Sequence, residues 1–480
     1  MDLRRQPQVL RKTEACVLGA GVTGLAAGLT LRRHDVDTVV VESASAVGGL
    51  ARTLSRNGFR FDLGGHRFFT KNESINRFID DLMGDEMINV VRKSSIFYDG
   101  KFFDYPLRTS NVLMNLGVAN SLKVVSDYAW TRTKRMVHDR PTATVEDWMI
   151  DQFGETLYKI FFQSYTAKVW GLPANQLSQE WAGQRIRGFS LTTAIKHALF
   201  KSSKSRPKTL IDKFTYPRMG IGRICERMAE EIERYDNIYL NSPVSRLNHE
   251  GRYVTSAEFD YNGTGVRVMA DNFISSMPLT AMLGLMNPKP PRKVMEAAAA
   301  ISFRGLIVVH LAIDRDRLND QTWIYIQEPS SIVSRVHEPK NWSEALVPEG
   351  KTSLVVEIPS SPGEELWNKS NDEIAKLAID SIEREMKFAR SSEILDAYVI
   401  RLPKAYPVYH LGYEEKLNVL LDYLRGFKNL QTVGRAGLHK YANIDHCLEC
   451  GILAAKNTFG ASYDLSFVNS EREYLEEAAS

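Results

Sequence analysis

The sequence has few cysteines, almost no net charge and no apolar run long enough to span a membrane. Four cysteines in 480 residues are too few for a disulfide framework, so we expect a reducing, cytoplasmic environment. The 61 basic and 58 acidic residues leave a net charge of +3, which gives no general attraction to nucleic acid or to an acidic membrane. Neither is predicted as a partner, and no cysteine and histidine spacing predicts a metal site.

The apolar stretch at residues 15–31 follows several basic residues, as the core of a signal peptide would. Four glycines interrupt it, and it is shorter than the ~20 residues that a membrane span needs. We therefore interpret it as part of a soluble domain. The chain is 44% hydrophobic and 25% charged, which is typical of globular proteins, and its length corresponds to about three domains.

A glycine-rich turn in this stretch predicts a nucleotide site. Residues 15–18 read as a strand, residues 25–33 as a helix and residues 38–41 as a second, buried strand. Gly19, Gly21 and Gly24 lie between the first strand and the helix, where glycines allow a tight turn and a close approach to a pyrophosphate. Glu42, at the end of the second strand, is placed to accept hydrogen bonds from ribose hydroxyls.

A second glycine motif distinguishes FAD from NAD. Gly48, Gly49 and Arg52 follow the acidic residue closely, and the run from Phe61 to His66 continues the pattern with Gly65. This arrangement resembles the FAD-binding amine oxidase superfamily, in which the glycines admit the cofactor and the arginine lies near its phosphates or flavin. Residues 271–278 resemble the strand that returns to the FAD domain. Gly434 and Asn443 flank a predicted helix start whose positive end would stabilise a reduced flavin.

Over most of its length the chain also resembles a narrower family, the UDP-galactopyranose mutases of eukaryotic type. Gly64-Gly65-His66 resembles that family's mobile histidine loop, and residues 165–173 resemble its strongest internal signature. The spacings of ten residues between Tyr325 and Arg335 and of six between Arg435 and Tyr441 also agree. The other matching positions are Phe69, the Asp104-Tyr105-Pro106 element, the stretch from Trp181 to Arg185, and Tyr406 before Pro407.

The resemblance implies a reaction and a set of site residues. The reaction interconverts pyranose and furanose forms of a nucleotide sugar, for cell-surface glycan or sugar natural product biosynthesis. Reduced FAD is the active form, NADPH or NADH is the reductant, and flavin N5 attacks the anomeric carbon. The implied catalytic residues are His66, Tyr325, Arg335, Tyr406 and Arg435. The implied cofactor residues are Gly19, Gly21, Gly24, Glu42, Gly49, Arg52, Gly65, Gly434 and Asn443, and the implied substrate residues are Phe69, Tyr105, Arg108, Trp170, Arg185 and Tyr441.

The chain departs from this family at two positions. Arg108 stands where those enzymes use a glutamine to read uracil, and an apolar residue near Ile211 replaces an asparagine. A glutamine amide both donates and accepts hydrogen bonds, whereas arginine only donates. Arginine suits the adjacent acceptors O6 and N7 of guanine better. In the alternative interpretation Arg108 faces solvent or a phosphate and reads no base.

Two other functions remain open. An FAD-dependent oxidase or dehydrogenase acting on an amine, a porphyrinogen or an isoprenoid would share the glycine motifs. Arg335 and Arg435 favour a phosphate-bearing substrate instead, because guanidinium binds phosphate in a forked geometry. The third alternative is a binding protein without catalysis. A homo-oligomer is neither predicted nor excluded, and we interpret Cys447 and Cys450 as packing residues.

The predicted fold class is α/β, with an FAD-binding Rossmann-like domain, a helical insertion and a sheet-based substrate domain. Residues 12–75, 215–300 and 426–466 are assigned to the FAD-binding domain, residues 76–214 to a mainly helical insertion and residues 301–425 to the sheet-rich domain. Capping boxes predict helices after Thr144 and Ser370. Runs rich in β-branched and aromatic residues predict strands between residues 237 and 360.

Overall fold

The computed structural model describes residues 9–105, 111, 115, 117–137, 142–180, 213–234 and 237–468. Arg108, Arg185 and the segment around Ile211 lie outside these residues. The strands are β1 Val9–Leu18, β2 Thr38–Val41, β3 Thr53–Arg56, β4 Phe59–Asp62, β5 Met87–Val91, β6 Ser94–Tyr98, β7 Lys101–Asp104, β8 Lys213–Pro217, β9 Ile238–Tyr239, β10 Val244–Glu250, β11 Tyr253–Tyr261, β12 Thr264–Ser275, β13 Met286–Asn287, β14 Phe303–Ile313, β15 Trp323–Ile326, β16 Arg335–His337, β17 Thr352–Ile358, β18 Ile394–Pro407 and β19 Leu430–Thr432.

The helices surround two larger sheets, so the mixed α/β fold class is confirmed. The helices are α1 Val22–Arg32, α2 Glu73–Met83, α3 Val118–Val137, α4 Val145–Phe153, α5 Glu155–Tyr158, α6 Ser164–Trp170, α7 Gly222–Glu233, α8 Leu279–Leu285, α9 Arg292–Ala299, α10 Glu365–Asn368, α11 Asn371–Asp380, α12 Tyr413–Arg425, α13 Gly434–Gly437 and α14 Ile444–Thr458.

The first sheet has the strand order β13-β10-β11-β12-β1-β2-β9, and β19 also pairs with β12. Strand β1 lies between β2 and β12 and is parallel to both. It begins at Val9, earlier than predicted, because Val9 already pairs with Val266 of β12. Parallel strands are covered on both faces, which explains why β1 is apolar from Ala15 to Leu18.

Helix α1 is buried along almost its whole length, from Val22 to Leu31. A surface helix would show a polar face, but here α7 and α14 cover the side that faces away from the sheet. Gly28 makes room for Val40 and Ile232, and a Cβ atom at Gly451 of α14 would lie 2.3 Å from the carbonyl oxygen of Thr23. The first and the last long segments of the chain therefore pack directly on each other.

The second sheet has the strand order β18-β14-β17-β16-β15-β6-β7. One face packs against α11 through Ile374 and Ala378. The other face packs against the β3–β4 hairpin through Phe61 and Leu63. Because both faces are covered, β14 is buried from Arg304 to Ile313 and β17 is buried throughout, including the charged residue Glu357 next to its C-terminal end.

The capping boxes after Thr144 and Ser370 are confirmed. The predicted long helix after Thr144, however, ends at Gly154, whose φ of +82° is in the left-handed region. The chain continues as α5, a π-helical turn over Lys159–Gln163 and α6. The carboxylate of Asp127 accepts a hydrogen bond from the Thr156 N–H at 2.7 Å and so replaces the missing bond at the new helix start.

The segment between residues 76 and 214 also supplies strands. Strands β6 and β7 extend the second sheet, and β5 pairs with β8. Of the helices in the described part of the chain, none combines the length and apolar character that a membrane crossing requires. Within the same residues no group of three or more histidine, cysteine and acidic side chains is arranged to hold a metal ion.

Candidate active site

The glycine turn between β1 and α1 has the shape of a pyrophosphate site. Gly21 is the N-cap of α1 and no side chain caps the helix, so its first N–H groups are left for a ligand. A Cβ atom at Gly21 would meet no atom within 4 Å, which shows open space on this side of the turn. At Gly24 a Cβ atom would lie 1.8 Å from the carbonyl oxygen of Gly19. The turn is closed on one side and open on the other, as a bound diphosphate requires.

Glu42 and the second glycine pair complete this pocket. The Glu42 carboxylate accepts hydrogen bonds from the N–H groups of Ala20 at 2.7 Å and Ala44 at 2.8 Å, which fix it beside the turn. A Cβ atom at Gly49 would lie 3.3 Å from the Cα atom of Gly21. Arg52 donates from Nε to the Gly49 carbonyl oxygen at 3.1 Å. Residues predicted to bind FAD are therefore neighbours in space.

Gly434 and Asn443 join the same region from the far end of the sequence. A Cβ atom at Gly434 would lie 2.4 Å from Oγ1 of Thr23, so only glycine permits α13 to approach α1 this closely. Asn443 is the N-cap of α14, and its backbone N–H donates to Nδ1 of His446 at 3.1 Å. The predicted helix start near Asn443 is confirmed, and the positive end of a helix dipole lies at this start.

Gly24→Ala is expected to weaken FAD binding, because the new methyl group would overlap the Gly19 carbonyl and displace the turn. Overpacking of this kind costs about 1–3 kcal/mol. The flavin absorbance retained after purification and the FAD affinity of the apoprotein measure the effect. Gly284→Ala in α8 is the matched control, because its Cβ atom would meet nothing within 4 Å. Equal FAD affinity in both variants would contradict the proposed role of the turn.

A row of polar side chains crosses the second sheet. Tyr325 of β15 pairs with Arg335 of β16, and Arg335 pairs with Glu357 of β17, so the three side chains share one face. Arg335 donates from Nε and Nη2 to Oε1 of Glu357 at 2.9 and 2.7 Å. Burial alone would lower the pKa of Arg335, but the Glu357 charge raises it well above its ordinary value. Arg335 is thus permanently charged, with its Nη1 edge left for a ligand.

Arg435 of α13 lies between two tyrosine rings. Its Cζ atom is 4.9 Å from the ring centre of Tyr406 and 4.5 Å from that of Tyr441. Nη1 donates to the carbonyl oxygen of Ala442 and Nη2 to that of Ala405. Nε is buried and has no hydrogen-bond partner among the described residues. Since each Nη carries two hydrogens, one further N–H on each Nη makes no hydrogen bond among the described residues.

His66 lies close enough to Arg335 and Arg435 for their positive charges to affect its pKa. Burial first, and then the charges of Arg335 and Arg435, lower the pKa of His66 to about 4. Its Nδ1 lies 3.0 Å from the carbonyl oxygen of Gly64, so we assign the ring hydrogen to Nδ1 and the lone pair to Nε2. At neutral pH the site therefore holds a neutral imidazole that accepts a hydrogen bond.

The remaining predicted substrate residues divide into three groups. The ring of Tyr105 lies 4.9 Å from that of Tyr325, and Tyr165 also contacts Tyr325. Trp170 is 3% exposed and its ring lies 6.0 Å from that of Tyr406, so it supports the site from the core. Phe69 is 37% exposed. Arg108 and Arg185 lie outside the described residues.

Three charged residues near the site are not among the site residues predicted from the sequence. Glu357 is one of them, although a single charge within an apolar strand is itself a signal that a partner lies opposite. Arg92 has its Cζ atom 5.3 Å from the ring centre of Tyr105 and 5.1 Å from that of Trp323. Lys168 of α6 donates to the carbonyl oxygens of Ile326, Glu328 and Val333.

Lys168→Met is expected to lower the free energy of unfolding by about 2–3 kcal/mol, because three carbonyl groups lose a charged donor. These carbonyls lie in the turn that joins the strands of Tyr325 and Arg335. Urea denaturation measures the loss. Lys159→Met is the matched control, since that lysine is 57% exposed and pairs with Glu155 at the surface. A difference between the two variants below about 0.5 kcal/mol would contradict this assignment.

Comparisons with known proteins agree with the cofactor pocket. Residues 22–457 match the family described as flavin containing amine oxidoreductase. Coproporphyrinogen III oxidase of Bacillus subtilis (strain 168) is 20% identical over 447 residues, which span 86% of this chain and 91% of that protein. A crystal structure of reduced UDP-galactopyranose mutase has a TM-score of 0.82 at 22% identity, covering 95% of this chain and 97% of that one. Wild-type putrescine oxidase bound to putrescine has a TM-score of 0.65 at 16% identity, covering 94% and 100%.

The family match spans most of the chain, including the first helix and the helix that packs on it near the C-terminus. The predicted relationship to the FAD-binding amine oxidase superfamily is therefore confirmed. The solved structures, all below 25% identity, show a shared fold. The chain belongs to the family of flavin containing amine oxidoreductases and is a flavin-dependent enzyme.

Proposed function

We propose that this flavoenzyme interconverts the pyranose and furanose forms of a nucleotide sugar. One observation supports the proposal most strongly. Two guanidinium groups, Arg335 and Arg435, each keep free N–H donors and lie among Tyr325, Tyr406 and Tyr441. Two fixed positive charges with neighbouring phenols match a diphosphate, which offers many acceptor oxygens and two or more negative charges. A neutral or cationic amine would gain nothing from these charges.

The side chains have a clear task in such a reaction. When bound, reduced FAD supplies the nucleophile for the anomeric carbon, and NADPH or NADH is the proposed reductant. Arg335 and Arg435 stabilise the negative charge that develops on the departing nucleoside diphosphate. They also hold it in place until the sugar ring has closed again, which makes the return reaction intramolecular. Tyr325 and Tyr406 donate hydrogen bonds to the same group.

His66 contributes as a neutral group in this proposal. Its lowered pKa, about 4, keeps a third positive charge out of the site at neutral pH. The Nε2 lone pair is then available to accept a hydrogen bond from a sugar hydroxyl. The half-buried phenol of Tyr406, whose pKa is raised first by desolvation and then by the Glu357 charge, stays protonated and acts as a donor.

The proposal is tested with chemically reduced, anaerobic protein and a panel of nucleotide sugars, including UDP-galactopyranose and GDP-mannose. We expect isomeric products of unchanged mass, separated by chromatography, without consumption of reductant in proportion to product. The oxidised protein is the control and should be inactive. No isomer from any sugar in the panel would count against the mutase function.

A specific observation favours a second candidate. Coproporphyrinogen III oxidases from Bacillus subtilis and Staphylococcus aureus match most of the chain, at 20% and 19% identity. A porphyrinogen carries carboxylates, and arginines bind these as well as phosphates. Incubation of the oxidised protein with coproporphyrinogen III in air separates the two functions. Hydrogen peroxide formation with a fluorescent porphyrin product would support the oxidase and replace the mutase proposal.

The nucleobase is a separate part of the proposal. Arg108 replaces the glutamine of the resembled family, so we propose that base selectivity differs from that of a strict UDP enzyme and favours guanine. Binding of UDP, dTDP, GDP and ADP to the reduced protein ranks the bases. A preference for UDP of tenfold or more that Arg108→Gln leaves unchanged would remove any role of Arg108 in specificity.

A further inference from the structure

We propose that Glu357 is a positioning residue that links the anion-binding arginine Arg335 to the loop carrying His66. The inference rests on the proposed diphosphate site and adds that ligand binding at this site controls the position of the His66 loop. A ligand on Arg335 changes the hydrogen bonding of this loop through one shared carboxylate oxygen.

The geometry that supports the link is centred on Oε1 of Glu357. This single oxygen accepts from Nε of Arg335 at 2.9 Å, from Nη2 of Arg335 at 2.7 Å and from the backbone N–H of Gly65 at 3.2 Å. Gly65 directly precedes His66. The loop is packed tightly here, because a Cβ atom at Gly64 would lie 3.2 Å from the same Oε1 atom.

Because Glu357 is buried, its carboxylate depends on these hydrogen bonds for stabilisation. Glu357 is 3% exposed and sits in a strand whose other residues are all buried. A carboxylate in such a place is retained only with charged or N–H partners. In the described part of the chain its hydrogen-bond donors are Arg335 and Gly65. The two bonds therefore compete for one acceptor, and weakening one strengthens the other.

An anion bound to Arg335 would change the strength of these hydrogen bonds. Its negative charge interacts with the same guanidinium that neutralises Glu357, so the Arg335–Glu357 ion pair weakens when the anion binds. The carboxylate then becomes a stronger acceptor for the Gly65 N–H. Binding of the diphosphate thus tightens the His66 loop, which brings the imidazole to a defined position only when substrate is present.

Removal of the Glu357 charge should affect the position of the His66 loop and the binding of an anion to Arg335 differently. In Glu357→Gln the amide oxygen still fits, but the acceptor is neutral. The affinity for an anion should stay the same or increase, because a negative charge has left the neighbourhood of Arg335. Turnover should fall at least about tenfold, since a charge-assisted bond becomes a neutral one. A residue needed merely for folding would lower affinity and turnover together.

The test uses the FAD-loaded, oxidised protein and inorganic pyrophosphate as a base-independent probe. Hydrogen exchange of the peptide that contains Gly65, followed by mass spectrometry, reports directly on the shared bond. We expect saturating pyrophosphate to slow this exchange at least threefold in the wild type and to have no effect in Glu357→Gln. Glu338→Gln is the matched control, because Glu338 is equally buried but binds Leu318, Asn319 and Thr352.

Each outcome bears on the link. Exchange that pyrophosphate leaves unchanged in the wild type, or slows equally in Glu357→Gln, overturns it. So does a Glu357→Gln variant whose pyrophosphate affinity falls tenfold, or whose turnover equals that of the wild type. If no nucleotide sugar is isomerised, the mutase proposal fails, but the exchange experiment still decides whether Glu357 connects Arg335 to the loop.

Discussion

Replacing either Arg335 or Arg435 with alanine is expected to lower kcat/KM by roughly 10- to 150-fold, because a charge-assisted contact to phosphate is worth about 1.5–3 kcal/mol. Flavin absorbance should stay at the wild-type level, since neither side chain forms the glycine pocket. Steady-state kinetics and the ratio of flavin to protein measure both parts. Lysine should restore little activity, because it lacks the planar fork that two phosphate oxygens require.

Arg292→Ala is the control for this pair, since Arg292 is 92% exposed and pairs with Glu296 at the surface. Its kinetics should match those of the wild type. Arg335→Ala also leaves Glu357 without its cation, so we expect a larger loss of stability there than in Arg435→Ala. Unaltered turnover in either alanine variant would refute its assigned role in binding the diphosphate.

The second large effect is a loss of stability in mild acid. Several buried or half-buried histidines have a lowered pKa, in each case mainly because burial disfavours the charged ring. The values are about 3 for His310 and about 4 for His66, His439 and His446, while the pKa of His337 lies well below its ordinary value. Unfolding returns each pKa to about 6.5. The unfolded chain therefore binds more protons below that pH, and stability falls as the pH drops from 6.5 towards 4.

Two carboxyl groups oppose this trend in part. Burial raises the pKa of Asp62 and that of Asp445 to about 6, so the folded chain takes up protons there between about pH 6 and 4. Each of these histidines lowers the free energy of unfolding by about 2 kcal/mol at pH 5 relative to pH 8. The histidines outnumber the two aspartates, so the net effect of acid is destabilising. Because a domain has only about 5–15 kcal/mol in total, we expect unfolding to begin between about pH 4 and 5.5. Circular dichroism during an acid titration measures it.

His310→Leu tests the cause. The His310 ring stacks on Phe61 at 3.9 Å, and neither of its nitrogens has a hydrogen-bond partner among the described residues. A leucine should therefore stabilise the protein by about 2 kcal/mol more at pH 5 than at pH 8. The measurement at pH 8 serves as the control for packing changes. An equal change at both pH values would show that His310 does not contribute to the acid sensitivity.

Features encoded within a few neighbouring residues could be predicted from the sequence. The turn at Gly19–Gly24, strand β2 and the capping boxes at Thr144 and Ser370 depend on local chemistry, and the structure contains each of them. The glycine motifs together also indicated a flavin, because a second pair follows Glu42 at short range. The predicted domain boundaries and the roles of the individual site residues remain predictions.

Features that depend on pairing across the chain were harder to predict. Glu357 faces Arg335 only because β16 and β17 align in one register. Strands β6 and β7 lie in a segment with mostly helical spacing, and they form because β6 pairs with the distant strand β15 and β7 pairs with β6. The break at Gly154 follows from a single left-handed residue, while the apolar spacing on both sides is that of one helix.

The contact between α1 and α14 has a consequence for biosynthesis. More than four hundred residues separate the two helices, which pack directly on each other. At a translation rate of about 5–20 residues per second, the ribosome needs on the order of half a minute or more between them. During that time the apolar surface of α1 has no partner from α14. We therefore expect the nascent chain to depend on chaperones to avoid aggregation until α14 has been synthesised.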